Sequence, residues 1–235
     1  MKNICSKSLS SKYETMLIKL KHGFVAKLVI ITSSLLLMSS FILGTIMMNN
    51  SQTAIKSLID SRMLDVANTA ADMIDGDVLE KLTERDIGTE PYKKIYDTLA
   101  VFQKNIGLRY IYTVRDLGNK QFVFIIDPSE DPGEFGESIV YTDALYSASK
   151  GTPCVDKKPY VDRWGRFYSA FSPVFDSQKN IAGIVAVDFS ADWIDKQVNK
   201  QTNIIILNTV LTVLFGILLI LITQLSHFDF RLKPF

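Results

Sequence analysis

Arg109-Tyr110-Ile111-Tyr112-Thr113-Val114 is a run of aromatic and β-branched residues that follows a long stretch of helical pattern. Such side chains suit a pleated, half-buried surface, so the run marks a change from helix to strand. Asp116 to Lys120, with Gly118 and Asn119, carries turn chemistry, and Gln121 to Ile126 returns as the second arm of a β-hairpin. Three more strands are expected downstream, around Lys158 to Asp162, Arg166 to Phe175 and Ile181 to Phe189, with turns at Trp164-Gly165 and Asp176 to Asn180. Between the hairpin and these strands lie an acidic loop, Asp127 to Glu137, and a short helix over Tyr141 to Ser149 closed by Gly151.

Upstream, Ile55, Ile59, Val66, Ala70 and Met73 form one stripe over residues 50–74, with Leu58 beside it. Spacings of three and four residues mark an amphipathic helix. Its stripe either packs on the domain's own sheet or forms a dimer seam. Gly76 is expected to stop that helix, and Asp77 with Glu80 to open a short one through a capping box. A further helix follows Thr89, with Pro91 in its first turn and Tyr92, Ile95, Leu99 and Phe102 inward, ending near Gly107. Ser190 caps a last helix through Trp193 and Val198. The order predicts an α+β domain, a PAS-like five-stranded antiparallel sheet with flanking helices.

Two segments outside that domain are apolar throughout. Leu28 to Met48 and Ile204 to Leu225 carry no charge over 21 and 22 residues. About 20 residues of helix cross a hydrocarbon core, so both read as transmembrane helices. The first exceeds the apolar core of a signal peptide and is followed by no clear Ala-x-Ala site, so a retained anchor is expected. The expected organisation is a basic arm over 1–27, transmembrane helices over 28–48 and 203–225, an outer domain over 49–202 and a stub over 226–235.

Charge gives the orientation. Residues 1–27 carry Lys2, Lys7, Lys12, Lys19, Lys21 and Lys27 against Glu14, a net of about +5. The segment 49–203 has 18 basic and 23 acidic residues, and the tail has Arg231 and Lys233 against Asp229, leaving +1 for the whole chain. Basic ends inside and the middle outside follow the positive-inside rule. Both termini are therefore expected in the cytoplasm, in a multi-pass protein of the cell membrane. The basic arm suits anionic lipid headgroups of the bilayer, and no nucleic-acid partner is expected.

A catalytic constellation is not found. His22 and His227 flank the membrane segments on the cytoplasmic side, and no HExxH, P-loop or GxSxG is present, so no enzyme activity and no cofactor are expected. Cys5 and Cys154 lie on opposite sides of the membrane in this reading and encode neither a disulfide framework nor a zinc site. Asp127, Glu130, Asp131, Glu134 and Glu137 offer hard oxygen ligands of the kind calcium takes, but without EF-hand spacing, and are read as a solvated loop. No metal site is expected.

The densest recognition chemistry is Lys158-Pro159-Tyr160-Val161-Asp162-Arg163-Trp164-Gly165-Arg166. Tyr160 and Trp164 supply rigid apolar walls with a polar handle, Arg163 and Arg166 planar forks, and Asp162 an acceptor. Aromatic walls with a few convergent polar groups are what small-molecule pockets use.

Pro159-Tyr160-Val161-Asp162, then Gly165, then Ser169 to Asp176 and Gly183 to Ser190, resemble in order and spacing a Cache domain. Cache domains are PAS-like extracytoplasmic sensors of chemoreceptors, sensor histidine kinases and diguanylate cyclases. The resemblance covers mainly residues 109–193. In amino-acid-sensing members the aspartates of Pro-Tyr-x-Asp and of the last strand hold the ligand's ammonium group. The resemblance implies Asp162 and Asp188 for that role, with Tyr160 beside them. The family's Arg-x-Trp-Tyr carboxylate clamp falls on Ser138-Ile139-Val140-Tyr141, where Tyr141 matches and the arginine is absent. Arg109, Arg163 and Arg166 are the candidates to replace its charge. Arg231-Leu232-Lys233-Pro234-Phe235 is similar to the start of a HAMP linker.

The expected function is that of a homodimeric transmembrane receptor that binds a small molecule outside, an amino acid, amine or carboxylate, and signals to a cytoplasmic output module. That module lies either in a longer chain or in a separate partner. The alternative is a membrane-anchored protein-interaction module without a small ligand.

Overall fold

The computed structural model describes residues 2–232, with side chains described from Phe24 to Leu225 apart from Ala26, Thr223 and Gln224. The side chains of the basic arm before Phe24, and the stub read as a HAMP-like start, lie outside those described.

Backbone contacts divide the chain into two compact units, one of the two terminal segments up to Gln52 and from Lys200, the other Thr53–Asn199. In the first unit, α1 (Lys2–Asp72) and α5 (Ala191–Leu232) each contain a stretch long and apolar enough to cross a membrane. Small residues let these helices approach: Gly44 lies against Thr209, and Gly216 against Leu37. The Gln52 amide donates to the Thr202 hydroxyl at 2.9 Å.

The second unit is built on one antiparallel sheet. Its strands are β1 (Tyr110–Asp116), β2 (Phe122–Ile126), β3 (Cys154–Val155), β4 (Tyr160–Asp162), β5 (Gly165–Phe175) and β6 (Ile181–Ser190). The order is β2-β1-β6-β5-β3, with β4 pairing β5 off that path. The five expected strands are present, with two differences. The third of them, here β4, begins at Tyr160 instead of Lys158, and Cys154–Val155 adds a two-residue strand too short to show a period. The β1–β2 hairpin closes through Asn119 and Lys120, both at positive φ of 51° and 63°, a primed turn whose twist suits a hairpin. The β5–β6 hairpin closes over Asp176 to Asn180 and sets Ser169 opposite Asp188.

One face of the sheet carries the larger core. Met63, Ala67 and Ala70 of α1 and Ile95 and Leu99 of α3 (Glu90–Asn105) pack on Ile111, Val123, Val185 and Val187. The α1 stripe is therefore spent on its own sheet: Ile59, Val66 and Ala70 are buried, while Leu58 and Met73 stay 72% and 60% exposed. The alternative use of the stripe, as a seam for a second chain, is met by the domain's own sheet for Ile59, Val66 and Ala70. The helix start after α1 also differs from the expectation. Asp75, not Asp77, caps α2 (Gly76–Leu79), its carboxylate accepting from the Val78 N–H. Gly76 opens this helix because the Phe175 carbonyl passes where a side chain would begin. The Arg115 guanidinium closes the other end, donating to the carbonyls of Leu79, Glu80 and Leu82.

The opposite face carries the second cluster: Tyr112, Phe122, Phe124, Phe171, Ile184 and Ala186, covered by α4 (Asp143–Ala148). The Thr142 hydroxyl caps α4 by accepting from the Leu145 N–H at 3.1 Å. The acidic loop straps this face at the β2 edge, where Gly136 donates to the Phe124 carbonyl and Phe124 to that of Glu137, both at 2.9 Å.

Candidate functional site

The strand period of two decides which residues reach the second face. On β6 it selects Ile184, Ala186 and Asp188. Asp188 is the single charge in a strand buried from Ala182 to Phe189, and it is 2% exposed. On β1 the same alternation brings Tyr110 and Tyr112, with Tyr110 in register with Asp188. On β5 it brings Phe167, Ser169 and Phe171.

Asp188 gathers hydroxyl donors from three strands. Ser169 Oγ donates to Asp188 Oδ1, and the phenols of Tyr112 and Tyr160 donate to the same oxygen at 3.4 Å each. Ser169 also lies 3.1 Å from the Tyr160 hydroxyl. Among the described residues no hydrogen bond reaches Oδ2. Burial disfavours the charged form and pushes the Asp188 carboxyl up to about 8, against the pull of Ser169, with the Asp162 carboxylate adding to the rise. The same burial, with Asp188 beside them, pushes the Tyr112 and Tyr160 phenols well above their usual range.

Two neighbouring spaces with shared walls open here. A crevice of about 10 Å³ is lined by Tyr110, Tyr112, Phe124, Asp162, Trp164 and Asp188, with Asp127 and Asp131 at its side. That is room for one water-sized group. A cavity of about 240 Å³ shares Tyr112, Phe124, Asp162 and Trp164 with it and extends along Ile139, Val140, Tyr160 and Phe171, with Glu137 and Arg163 also on its wall.

The β4–β5 turn positions the indole. Asp162 Oδ1 accepts from the Trp164 and Gly165 N–H groups at 2.8 and 3.1 Å. Trp164 Nε1 donates to the Asp131 carbonyl at 2.9 Å, and its ring meets Phe124 edge-on at 5.6 Å. Asp127 shapes the loop opposite by accepting from Ser129 and Gly133, both at 2.9 Å. Gly133 lies against the Phe124 ring, where a Cβ would stand 2.6 Å from it. Burial raises the Asp162 and Asp127 carboxyls as well.

Of the residues singled out from the sequence, Tyr160, Asp162, Trp164 and Asp188 converge on these spaces, and Arg163 reaches the rim. The other arginines do not. Arg166 pairs with Asp192 and Asp195 of α5 at 3.1 and 2.9 Å. Arg109 lies over the Tyr110 ring, 5.1 Å from its centroid, and lines neither space. Arg163 is already engaged: it donates to Glu137 at 2.9 Å and stacks 4.0 Å over Trp164. Tyr141 packs beside Phe122 under the Lys120 ammonium and lines neither space. Neither fork expected from Arg109 and Arg166 faces the cavity, because Asp192, Asp195 and the Tyr110 ring hold them elsewhere.

Tyr110, Tyr112, Phe124, Phe171 and Ser169 were not singled out by sequence reasoning. Alternation along β1 would have paired Tyr110 with Tyr112, and folding the last hairpin about Asp176 to Asn180 would have set Ser169 against Asp188. Among the described residues no group of three or more His, Cys, Asp or Glu is placed to hold a metal ion. Cys154 is free and half-buried.

No protein-family model matches the chain, and no curated protein does. Solved structures do. The chain is similar to the ligand-binding domain of the Campylobacter jejuni chemoreceptor Tlp3 in complex with L-valine, at 16% identity over 72% of this chain and 66% of that one, with a TM-score of 0.48. It is similar to the ligand-binding domain of the Pseudomonas aeruginosa amino acid chemoreceptor PctC in complex with GABA, at 16% identity over 68% of this chain and 67% of that one, TM-score 0.47. The E. coli DcuS sensor domain matches at 18% identity over 63% of this chain and 98% of that one, TM-score 0.41. The chain spans under two thirds of the Tlp3 domains it matches, 62% and 66% of two of them. The likeness is one of fold, and the ligands are those proteins' own.

Proposed function

We propose that this chain is a transmembrane receptor whose outer domain, residues 49–202, binds a small molecule in the aromatic cavity beside Asp188 and signals to a cytoplasmic output module. The observation that supports the reading most directly is Asp188 itself. A carboxyl 2% exposed, with hydroxyl donors on one oxygen and a cavity at its side, is costly to keep unless a bound group completes it. Stability alone would favour an apolar residue here, as at every other buried position of β6.

Position supports the relay. Asp188 stands three residues before α5 begins, and Ser190 accepts from the Trp193 N–H at 3.3 Å to cap that helix. Arg166 on β5 pairs with Asp192 and Asp195 in the first turns of α5. A ligand that moves the ends of β5 and β6 therefore acts on the start of the helix whose later part is long and apolar enough to cross a membrane. Both ends of the chain are assigned to the cytoplasm by their charge, and the receptor is taken to act as a homodimer.

The test is a thermal-shift screen of the full chain in lipid nanodiscs against amines, amino acids, carboxylates and divalent cations. Ligand at 100 times its Kd adds about 2.7 kcal/mol to stability, an easily read shift. A stabilising compound whose effect is lost in Asp162→Ala and Asp188→Ala is the expected outcome. A folded chain that responds to no compound overturns the reading in favour of a protein-interaction module.

A further inference from the structure

We propose that the ligand of this site is a small primary amine with an apolar body and no carboxylate group. The inference rests on the sensor reading above and adds the chemical class of what is sensed.

The crevice beside Asp188 has the size of one ammonium group, about 10 Å³, and four of its lining residues are aspartates: Asp127, Asp131, Asp162 and Asp188. Asp188 Oδ2 is the acceptor left over, since Ser169, Tyr112 and Tyr160 all donate to Oδ1. An ammonium has three N–H donors and no acceptor, which matches a carboxylate oxygen whose partner oxygen is already filled. The walls of the crevice include the rings of Tyr110, Tyr112, Phe124 and Trp164, an aromatic setting whose ring faces attract cations through their quadrupoles. A neutral hydroxyl would gain neither the charge pairing nor most of that attraction.

The larger cavity says what the rest of the molecule is. Its walls beyond the crevice include Ile139, Val140, Phe171 and the Tyr160 ring, which suit an apolar body, with Ser138 and the Glu137–Arg163 pair beside them. An amino acid would also need a cation for its carboxylate. Arg163 is the cation on that wall, and its guanidinium is held by Glu137 at 2.9 Å and laid over Trp164. A ligand carboxylate would meet the Glu137 carboxylate beside it, which already neutralises that guanidinium.

Isothermal titration of the full chain in nanodiscs near neutral pH decides the matter, using matched sets that share a skeleton. One set is phenethylamine, phenylalanine and phenylpropanoate; the other is isopentylamine, leucine and isocaproate. In at least one set the amine is expected to bind roughly tenfold or more tighter than its amino acid, and the acid not to bind. Asp188→Asn keeps an oxygen for the three hydroxyls, removes the carboxyl that can give up its proton to pair with the ammonium, and is expected to abolish amine binding. Asp162→Asn still caps its turn and is expected to weaken the amine severalfold, which keeps the test valid if the first variant fails to fold. An amino acid or acid that binds as tightly as its amine overturns the amine assignment and leaves the sensor reading standing. Amine affinity unchanged in both variants overturns it as well. Silence from every amine, together with silence across the broader screen, overturns both.

Discussion

Val185, Val187 and Phe189 belong to one face of β6, and Ile184, Ala186 and Asp188 to the other. The two faces use the same strands to opposite ends. The first is closed by α1 and α3 over a mainly hydrocarbon surface, with the buried hydroxyl residues Thr113 and Ser172 in register beside Val185. Each fully buried large side chain there contributes about 1.5–3 kcal/mol. The second keeps Tyr112, Tyr160, Ser169 and Asp188 among its apolar residues and leaves a cavity of about 240 Å³ between sheet and loop. One face supplies stability that the other gives up, because a buried carboxyl and an unfilled space are both costly. A site this unfavourable survives because the period of two lets adjacent residues of one strand serve different faces.

The comparison breaks most easily from its stable side. Leu99 on α3 is fully buried against the sheet. Leu99→Ala is expected to cost about 3–5 kcal/mol, read by denaturant unfolding, while ligand selectivity among folded molecules stays unchanged. A change of selectivity with little loss of stability would mean the faces are not independent.

A pH scan comes next in size. The folded Asp188 carboxyl stands at about 8, whereas an unfolded aspartate titrates at about 4. Between those values the folded, empty chain keeps a proton that the unfolded chain has lost. Stability from this group is therefore full below about pH 4 and falls as pH rises toward 8. Asp156, raised by burial to about 6, acts in the same direction over a narrower window, and burial also raises Asp127, Asp162 and Asp60. Asp86 and Asp176 are lowered by their hydrogen bonds and oppose the trend only in acid. The groups facing Asp188 are Tyr112 from β1, Tyr160 and Asp162 from β4 and Ser169 from β5; both phenols are pushed above the scanned range. A decline of roughly 2–4 kcal/mol from pH 5 to pH 8 is expected, and Asp188→Asn should remove most of it. A slope that survives Asp188→Asn would assign the effect to Asp156 and its neighbours.

How much of this was legible in the sequence differs between the faces in the same way. Strand and helix identities followed from period and turn chemistry, so β1, β2, β5, β6 and α3 stand where the pattern put them. Asp162, Asp188, Tyr160 and Trp164 were legible because they sit in a dense local segment or end a buried strand. Arg166 and Arg109 lie away from both spaces because a guanidinium goes to whatever carboxylate or ring the fold brings, and Asp192 lies 26 residues away from Arg166. Ser169, Tyr110, Tyr112 and Phe124 were missed because their meeting depends on cross-strand register, which no single segment contains. The α1 stripe was ambiguous for a different reason: an amphipathic face records that something covers it, and not what.

Trp164→Ala sharpens the contrast with Leu99. The indole is half-buried, hung between the Asp131 carbonyl, the Phe124 edge and the Arg163 fork. Loss of one cation-facing aromatic wall is expected to weaken amine binding by about 1–2 kcal/mol, roughly five- to thirtyfold, with a smaller loss of stability than Leu99→Ala. Titration and thermal unfolding of the same sample separate the two. An unfolding penalty larger than that of Leu99→Ala would make Trp164 a core residue and not a wall.

The smallest expected change is the most informative about specificity. Glu137 neutralises Arg163 at 2.9 Å across the cavity wall. Both side chains are partly exposed, so the pair itself contributes little to stability. Glu137→Gln keeps the shape of the wall and a weak acceptor while releasing the guanidinium's charge. A ligand carboxylate can then take the place of Glu137, and Arg recognises carboxylates through two parallel N–H donors. Amino acids are therefore expected to gain about tenfold in affinity over the unaltered receptor, about 1.4 kcal/mol, with the matched amines little changed. If amines and amino acids shift together, Glu137 acts on the ammonium end and the division of the cavity into a cationic crevice and an apolar body fails. If only amino acids gain, one carboxylate at the rim separates an amine receptor from an amino-acid receptor on the same sheet.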